Sequence, residues 1–178
     1  MKTSVIELLQ TEFAPNPDFR SSAVNRCDIT YLNTIARAEC LFPIRVEHYG
    51  FVPDTGGAGQ YRGGLAVRRD VRFLGRRAVL QIRSDRAVVT PWGLAGGAAG
   101  TTSKNLLFAR DGTCRPLPSK IVTEIESGAM WRHITASGGG WGDPARRSSA
   151  AIEQDLQDGK VTEAGMAEAY GRQLSEVE

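Results

Sequence analysis

This sequence of 178 residues has few cysteines, little excess charge of either sign and no long apolar run. The three cysteines, Cys27, Cys40 and Cys114, are widely spaced and form no C-x-x-C pair. This pattern argues against a zinc site or a redox pair and predicts reduced, partly buried thiols. The 22 basic and 20 acidic side chains nearly cancel, giving a net charge of +2. A charge this small does not argue for nucleic acid or an anionic membrane as the main partner, and neither is expected.

Targeting and membrane-spanning signals are also absent. No stretch of the sequence approaches the roughly 18 apolar residues that a transmembrane helix needs. The N-terminal residues 1–10 lack the apolar run and small-residue cleavage site of a secretory signal. The sequence therefore predicts a cytoplasmic protein.

The chain divides into three predicted parts. Residues 1–26 are predicted to be an arm that contacts a partner, because they carry little apolar surface and are interrupted by Pro15 and Pro17. Residues 27–145 are predicted to form a β-rich domain, and residues 146–178 a helical appendage.

Alternation of apolar and polar residues predicts the strands of the β-rich part. Asp111-Gly112 suits a hairpin turn. Glycine-rich turns separate most of the segments, which favours a mainly β fold with a sandwich or barrel-like core. The predicted segments are Ile44–Val52, Leu65–Leu74, Ala78–Ile82, Leu106–Ala109, Ile121–Ile125 and Trp131–Ala136.

Two helices are predicted after Pro144. Ser148 or Ser149 can cap the first, which carries Ile152 and Leu156. The second follows Val161-Thr162, and three- and four-residue steps predict one docking face for it. The predicted docking residues are Ala164, Ala167, Tyr170 and Leu174.

Charge is unevenly distributed between the core and the tail. The tail is acidic, whereas eight arginines lie between Arg62 and Arg86. The asymmetry fits either a tail-to-core or subunit contact, or a solvated strand face.

Catalytic and cofactor motifs are missing. Gly57-Ala58-Gly59 does not extend to G-x-G-x-x-G because Arg62 occupies the last position, and there is no phosphate-binding G-x-x-x-x-G-K-[ST] loop. The two histidines, His48 and His133, lack companions at metal-ligand spacing and are interpreted as structural. We therefore predict no catalytic, cofactor-binding or metal-binding residue in this chain.

Two tryptophans lie in glycine-rich loops. Trp92 precedes Gly93, and Trp141 follows Gly139-Gly140. Packing of the rings onto the core is favoured, and lining of a cavity or an interface is the alternative.

Several colinear motifs resemble the C-terminal region of hydantoinase B proteins. That family includes subunits or domains of N-methylhydantoinase, 5-oxoprolinase, and acetone and acetophenone carboxylases. The resemblance covers roughly residues 30–174. It rests on Phe42–Tyr49, Asp54–Gly64, Ser84-Asp85-Arg86, Pro91–Gly97, Gly138–Pro144 and Asp158–Thr162. The structural or interface candidates within these motifs are Gly56, Gly57, Gly59, Tyr61, Arg62, Gly63, Gly64, Trp92, Gly93, Gly139, Gly140 and Trp141.

The resemblance implies a non-catalytic small subunit of an ATP-dependent complex. Its partners would be a larger hydantoinase B-like subunit and a hydantoinase A-like ATPase, which would carry the ATP and a divalent metal. The family's metal-binding residues belong to an N-terminal part that has no counterpart in this sequence. A naturally split subunit and a truncated gene product both fit that difference.

The resemblance slightly favours a ketone carboxylase of the acetone or acetophenone type. A hydantoinase or oxoprolinase type of cyclic-amide hydrolase is the first alternative. A stand-alone small-molecule-binding β module is the second.

Overall fold

A computed structural model describes residues 38–171 of the chain. The predicted arm at residues 1–26 lies outside the described residues, as does Leu174. Seven strands are followed by a short 3-10 helix at Pro144–Arg146 and two α-helices. The elements are β1 (Ile44–Val52), β2 (Ala66–Phe73), β3 (Arg77–Arg83), β4 (Lys104–Phe108), β5 (Cys114–Leu117), β6 (Lys120–Glu126), β7 (Met130–Ile134), α1 (Ser149–Gln157) and α2 (Glu163–Tyr170).

Five strands form an antiparallel sheet in the order β1-β2-β7-β4-β5. β7 is the last of the described strands but lies between β2 and β4, so the sheet depends on long-range pairing. Each of the six predicted segments overlaps a strand, and β5 is an additional one. The mainly β fold class with two C-terminal helices is confirmed. The sheet ends at β1 and β5 and does not close into a barrel.

β3 and β6 form a separate two-stranded sheet that covers one face of the larger sheet. Alternate residues of β3 point inward, so Ile82 is buried while Val79 is 65% exposed. Ile82 packs with Leu107 and Leu117 of the larger sheet in one apolar core. The two layers therefore enclose the main core of the β-rich part.

The two helices enclose a smaller core of their own. Ser148, one of the two serines predicted for this role, caps α1 by accepting a hydrogen bond from the backbone N–H of Ala151. Ile152, Val161 and Met166 are buried together. The predicted docking face of the second helix is wrong for two residues, Ala164 and Ala167, which are exposed. Met166 is buried instead because the face that meets α1 is rotated from the predicted one.

The described cysteines differ from their predicted environment. Cys40 and Cys114 are free thiols but are exposed rather than partly buried. Cys114 begins β5 at the rim of the larger sheet, where it has no covering layer. Within the described part of the chain, no helix is long and apolar enough to cross a bilayer.

Candidate interaction site on the glycine loops

Three glycine-rich segments, residues 55–64, 91–101 and 137–142, lie side by side and form what we call the glycine-loop cluster. Backbone hydrogen bonds join all three. Gly57 N–H donates to Gly138 O at 2.9 Å, and Gly140 N–H donates to Ala98 O at 2.9 Å. Because main-chain groups make these bonds, the cluster resembles a small sheet built from loop backbone.

The segments approach each other too closely for side chains at several positions. A Cβ added at Gly140 would lie 2.1 Å from Ala58 O, and one at Gly57 would lie 2.3 Å from Ala98 O. Contacts this short are excluded, so only glycine fits. A Cβ would also meet backbone oxygen within 2.3 Å at Gly56, Gly63, Gly93 and Gly139, and within 2.7 Å at Gly59. Gly64 takes part through its carbonyl oxygen, which accepts from Gly138 N–H at 2.8 Å.

The cluster presents large apolar side chains to solvent. Tyr61 and Trp141 exchange two backbone hydrogen bonds of 2.9 Å, and their rings lie 5.6 Å apart. Tyr61 is 53% exposed and Trp141 48% exposed. Leu94 lies beside Trp141 through a further backbone bridge and is also exposed.

The second tryptophan of the cluster is exposed as well. Trp92 is 66% exposed, and the Arg86 guanidinium lies 5.6 Å from the centre of its ring. Val88 and Val89, in the same connection, are exposed as well. We call these exposed side chains the aromatic surface: Tyr61, Trp92, Leu94 and Trp141 of the glycine-loop cluster, with Val88 and Val89 in the connection that leads to it. The preferred interpretation that Trp92 and Trp141 pack onto the core is wrong, because both side chains are largely exposed.

A buried charge cluster fastens α1 to the glycine loops. Arg62 donates to both carboxylate oxygens of Asp155, at 2.9 and 3.1 Å. Arg147 donates to the same carboxylate at 2.7 Å, and the Lys160 ammonium lies 3.9 Å away. All four residues are buried. The sequence analysis offered two explanations of the charge asymmetry, a tail-to-core or subunit contact and a solvated strand face. These bonds are a tail-to-core contact.

Asp54 fastens α2 to the same loops. Its carboxylate accepts from the backbone N–H of Thr162 at 2.8 Å and from the Thr162 hydroxyl at 2.7 Å. Thr162 is itself the N-cap of α2. Asp54 adopts a φ of 61°, which is uncommon for a residue other than glycine. The helix start is therefore held by a residue at the entrance of the first glycine-rich segment.

Comparison with protein families gives a match to the Hydantoinase B/oxoprolinase model over residues 24–144. The chain belongs to this family. The matched region contains all three glycine-rich segments and ends before α1.

Individual relatives of this hydantoinase B family member are much longer proteins. It is 36% identical over 132 residues to an uncharacterized protein from Methanocaldococcus jannaschii, covering 74% of this chain and 23% of the relative. It is 32% identical over 101 residues to 5-oxoprolinase 1 from Arabidopsis thaliana, covering 57% of this chain and 8% of the relative. The crystal structure of ATP-dependent caprolactamase from Pseudomonas jessenii superposes with a TM-score of 0.71 and 26% identity, covering 79% of this chain and 25% of that one. The chain therefore spans about a quarter or less of each of these proteins.

His133 of this family member is held by polar neighbours inside the two-layer core. Its Nδ1 lies 2.9 Å from the side-chain oxygen of Asn105, whose amide nitrogen donates to the Ser84 hydroxyl. Burial is the main cause that lowers the pKa of His133, and the nearby charge of Arg69 lowers it further. The structural interpretation of His133 agrees with these contacts. His48 is exposed on β1.

Metal binding does not fit the described side chains. Across residues 38–171, no group of three or more His, Cys, Asp or Glu side chains is placed to hold a metal ion. The divalent metal that the family resemblance implies would therefore need ligands from elsewhere.

A second buried carboxylate, which the sequence analysis missed, lies on β2. Asp70 accepts hydrogen bonds from both Arg132 and Arg68. Burial alone would raise the pKa of Asp70, but the bonds from the two arginines outweigh it and lower the pKa to about 2. The cross-strand pairing of Asp70 with Arg132 could be found only once β7 was known to neighbour β2.

Proposed function

We propose that this chain is the C-terminal segment of a hydantoinase B component, and that the whole assembly hydrolyses cyclic amides with ATP. The chain completes the assembly and presents the aromatic surface to the remainder of the hydantoinase B component. An A-like ATPase subunit is the second expected partner.

The exposed aromatic surface is the observation that carries this proposal. Monomeric proteins rarely expose such large apolar side chains together, and patches of this kind are typical of protein interfaces. Tyr and Trp are also enriched among the residues that dominate binding energy. Burying one such ring contributes about 2 kcal/mol. The chain covers only about a quarter of these longer relatives. This supports the remainder of the hydantoinase B component as the partner that covers the aromatic surface.

The residues beneath the surface are suited to holding it in one conformation. The glycine-loop cluster is fixed by main-chain hydrogen bonds, and the Arg62–Asp155 and Asp54–Thr162 contacts join it to the helices. A preformed surface loses less conformational entropy when it binds. We assign the chain this positioning role and no reacting group, since the described part lacks an activated nucleophile beside a base.

We prefer cyclic-amide hydrolysis because two of the relatives are named for this reaction. Caprolactam and 5-oxoproline are both cyclic amides, and these relatives are a caprolactamase and a 5-oxoprolinase. Ketone carboxylation, which the sequence resemblance slightly favoured, stays a prediction that the assay below separates from amide hydrolysis.

Co-purification tests the assembly. The tagged full chain is co-expressed with the large B-like and A-like subunits from the same genome, and both are expected to co-purify. A triple variant, Tyr61→Ser, Trp92→Ser and Trp141→Ser, is expected to lose at least tenfold of the captured B-like subunit.

The matched control removes exposed apolar groups elsewhere. Val79→Ser with Val122→Ser changes two side chains that are each 65% exposed on the outer face of the β3–β6 sheet. This control is expected to capture the partners normally. Equal capture by the triple variant and the wild type would overturn the assigned surface.

An activity assay on the reconstituted complex tests the chemistry. ATP hydrolysis is measured with 5-oxoproline or hydantoin in one arm, and with acetone or acetophenone plus bicarbonate in the other. We expect amide-dependent turnover that requires the full chain. Turnover that depended on the ketones alone would overturn the proposed amide class.

A further inference from the structure

A cleft of about 720 Å³ opens between the two sheets, at the end where β3 begins and β6 ends. Leu107, Ile125 and Ala129 form its apolar lining, and Leu107 and Ala129 belong to the main core. The cleft lies apart from the glycine-loop cluster, since no residue of that cluster lines it. A volume of this size is in the range of small-molecule sites.

Four arginines from separate parts of the chain converge on the cleft. Arg76 and Arg77 come from the start of β3, Arg110 from the β4–β5 turn and Arg115 from β5. Two carboxylates, Glu124 and Glu126, also line it, which leaves the lining positively charged.

Three of these arginines have no charge partner among residues 38–171. Arg77 forms an ion pair with Glu124. In contrast, no hydrogen bond or ion pair joins Arg76, Arg110 or Arg115 to any described residue. The Arg110 stem packs against Gly128, where an added Cβ would lie 3.3 Å from Arg110 Cγ. That contact holds the stem of Arg110 beside Gly128, while the residue lines the cleft.

We propose that this cleft binds a small organic anion, with its carboxylate or phosphate group on the arginines and its apolar part against Leu107 and Ile125. Guanidinium groups match carboxylate and phosphate oxygens through paired, charge-assisted hydrogen bonds. The apolar lining distinguishes such a ligand from a free inorganic anion. This site does not depend on the proposed function, because every group that forms it belongs to this chain.

Calorimetric titration of the full chain tests the site with four probes. Phenyl phosphate and benzoate carry an anion and a ring, inorganic phosphate carries the anion alone, and phenol carries the ring alone. We expect at least one ring-bearing anion to bind at least fivefold more tightly than inorganic phosphate and phenol. The comparison of phenyl phosphate with benzoate identifies the preferred anionic group.

Charge-removing variants locate the binding. Arg110→Gln combined with Arg115→Gln is expected to weaken the preferred anion at least tenfold. The control is Arg83→Gln, at the opposite end of β3, where an exposed arginine lies outside the cleft. Thermal unfolding of all variants is expected to be unchanged because the replaced side chains are exposed.

Three outcomes would overturn the site. The first is that no probe binds the full chain. The second is that phenol or inorganic phosphate binds as tightly as the ring-bearing anions. The third is that Arg83→Gln weakens binding as much as the double variant, which would indicate attraction to general surface charge.

Discussion

The Arg62 guanidinium and the Asp155 carboxylate form a two-bond ion pair across 93 residues of chain. Their side chains are only 6% and 2% exposed. Arg62 belongs to the first glycine-rich segment and Asp155 to α1, so this pair joins the β-rich part to the helical appendage. Asp155 also faces Arg147 and Lys160, and it is therefore the buried anion shared by three cations.

Replacement of Asp155 is expected to destabilise the fold strongly. Asp155→Asn leaves buried positive charges without their anion, and the free energy of unfolding should fall by about 3–5 kcal/mol. Urea unfolding measures the change. The control is Asp158→Asn, where the carboxylate is paired with Lys160 near the surface and the expected loss is about 0–1 kcal/mol. A loss at Asp155 no greater than at Asp158 would contradict the role of this pair.

A methyl group inside the glycine-loop cluster is expected to be costly. Gly140→Ala places a Cβ against Ala58 O, so the loops must separate, and stability should fall by about 3 kcal/mol or more. Gly112→Ala is the control, because Gly112 has a φ of 87° but open space around it. Its expected cost is about 1 kcal/mol from backbone strain alone. Thermal melting of both variants distinguishes crowding from strain, and equal melting temperatures would argue against close packing.

Asp54 is expected to tolerate asparagine better than alanine. Asp54→Ala removes both bonds to Thr162 and puts alanine at a φ of 61°, so about 2 kcal/mol should be lost. Asp54→Asn keeps one acceptor oxygen and suits a positive φ, so less than about 1 kcal/mol is expected. Chemical unfolding compares the two. If alanine were as stable as asparagine, the side chain would not be anchoring α2.

Acid is expected to weaken the fold through Asp70. The pKa of Asp70 is about 2 in the folded protein, below the usual value of 3.8. The ionised carboxylate therefore stabilises the fold fully at any pH above 3.8. The contribution, about 2 kcal/mol, is lost as the pH falls through 2. Urea unfolding of the wild type and Asp70→Asn at pH 7 and pH 2 should show the stability difference narrowing in acid. A difference that stays constant with pH would contradict the lowered pKa.

The strands were largely predictable because alternation reflects burial on one side of each strand. In β3, Leu80 and Ile82 point inward and Val79 points outward, so one apolar residue of the segment departs from strict alternation. β5 escaped prediction because it contains Pro116 and buries only Leu117, so four residues carry no alternation. The position of β7 between β2 and β4 could not be predicted either, since no local signal specifies pairing across more than sixty residues.

The candidate site was predictable in its parts but not in its assembly. Clustered glycines indicated unusual backbone geometry. They did not indicate which loops lie together, because that depends on contacts between distant residues such as Gly57 and Gly138. No sequence pattern distinguishes Asp155 from the other acidic residues of the tail. Burial of that carboxylate follows from the way α1 packs on the loops, which is a property of the folded chain.

The two-stranded β3–β6 sheet has a consequence for handling the protein. Within residues 38–171 each of its strands has a single neighbour, so both long edges carry main-chain groups that an added strand could pair with. Arg83 and Lys120 are exposed side by side at one end of this sheet, and their like charges oppose pairing with the same end of a second copy. Concentrated preparations should therefore stay dispersed best at low ionic strength, where repulsion between the basic Arg83–Lys120 ends of two copies is least screened.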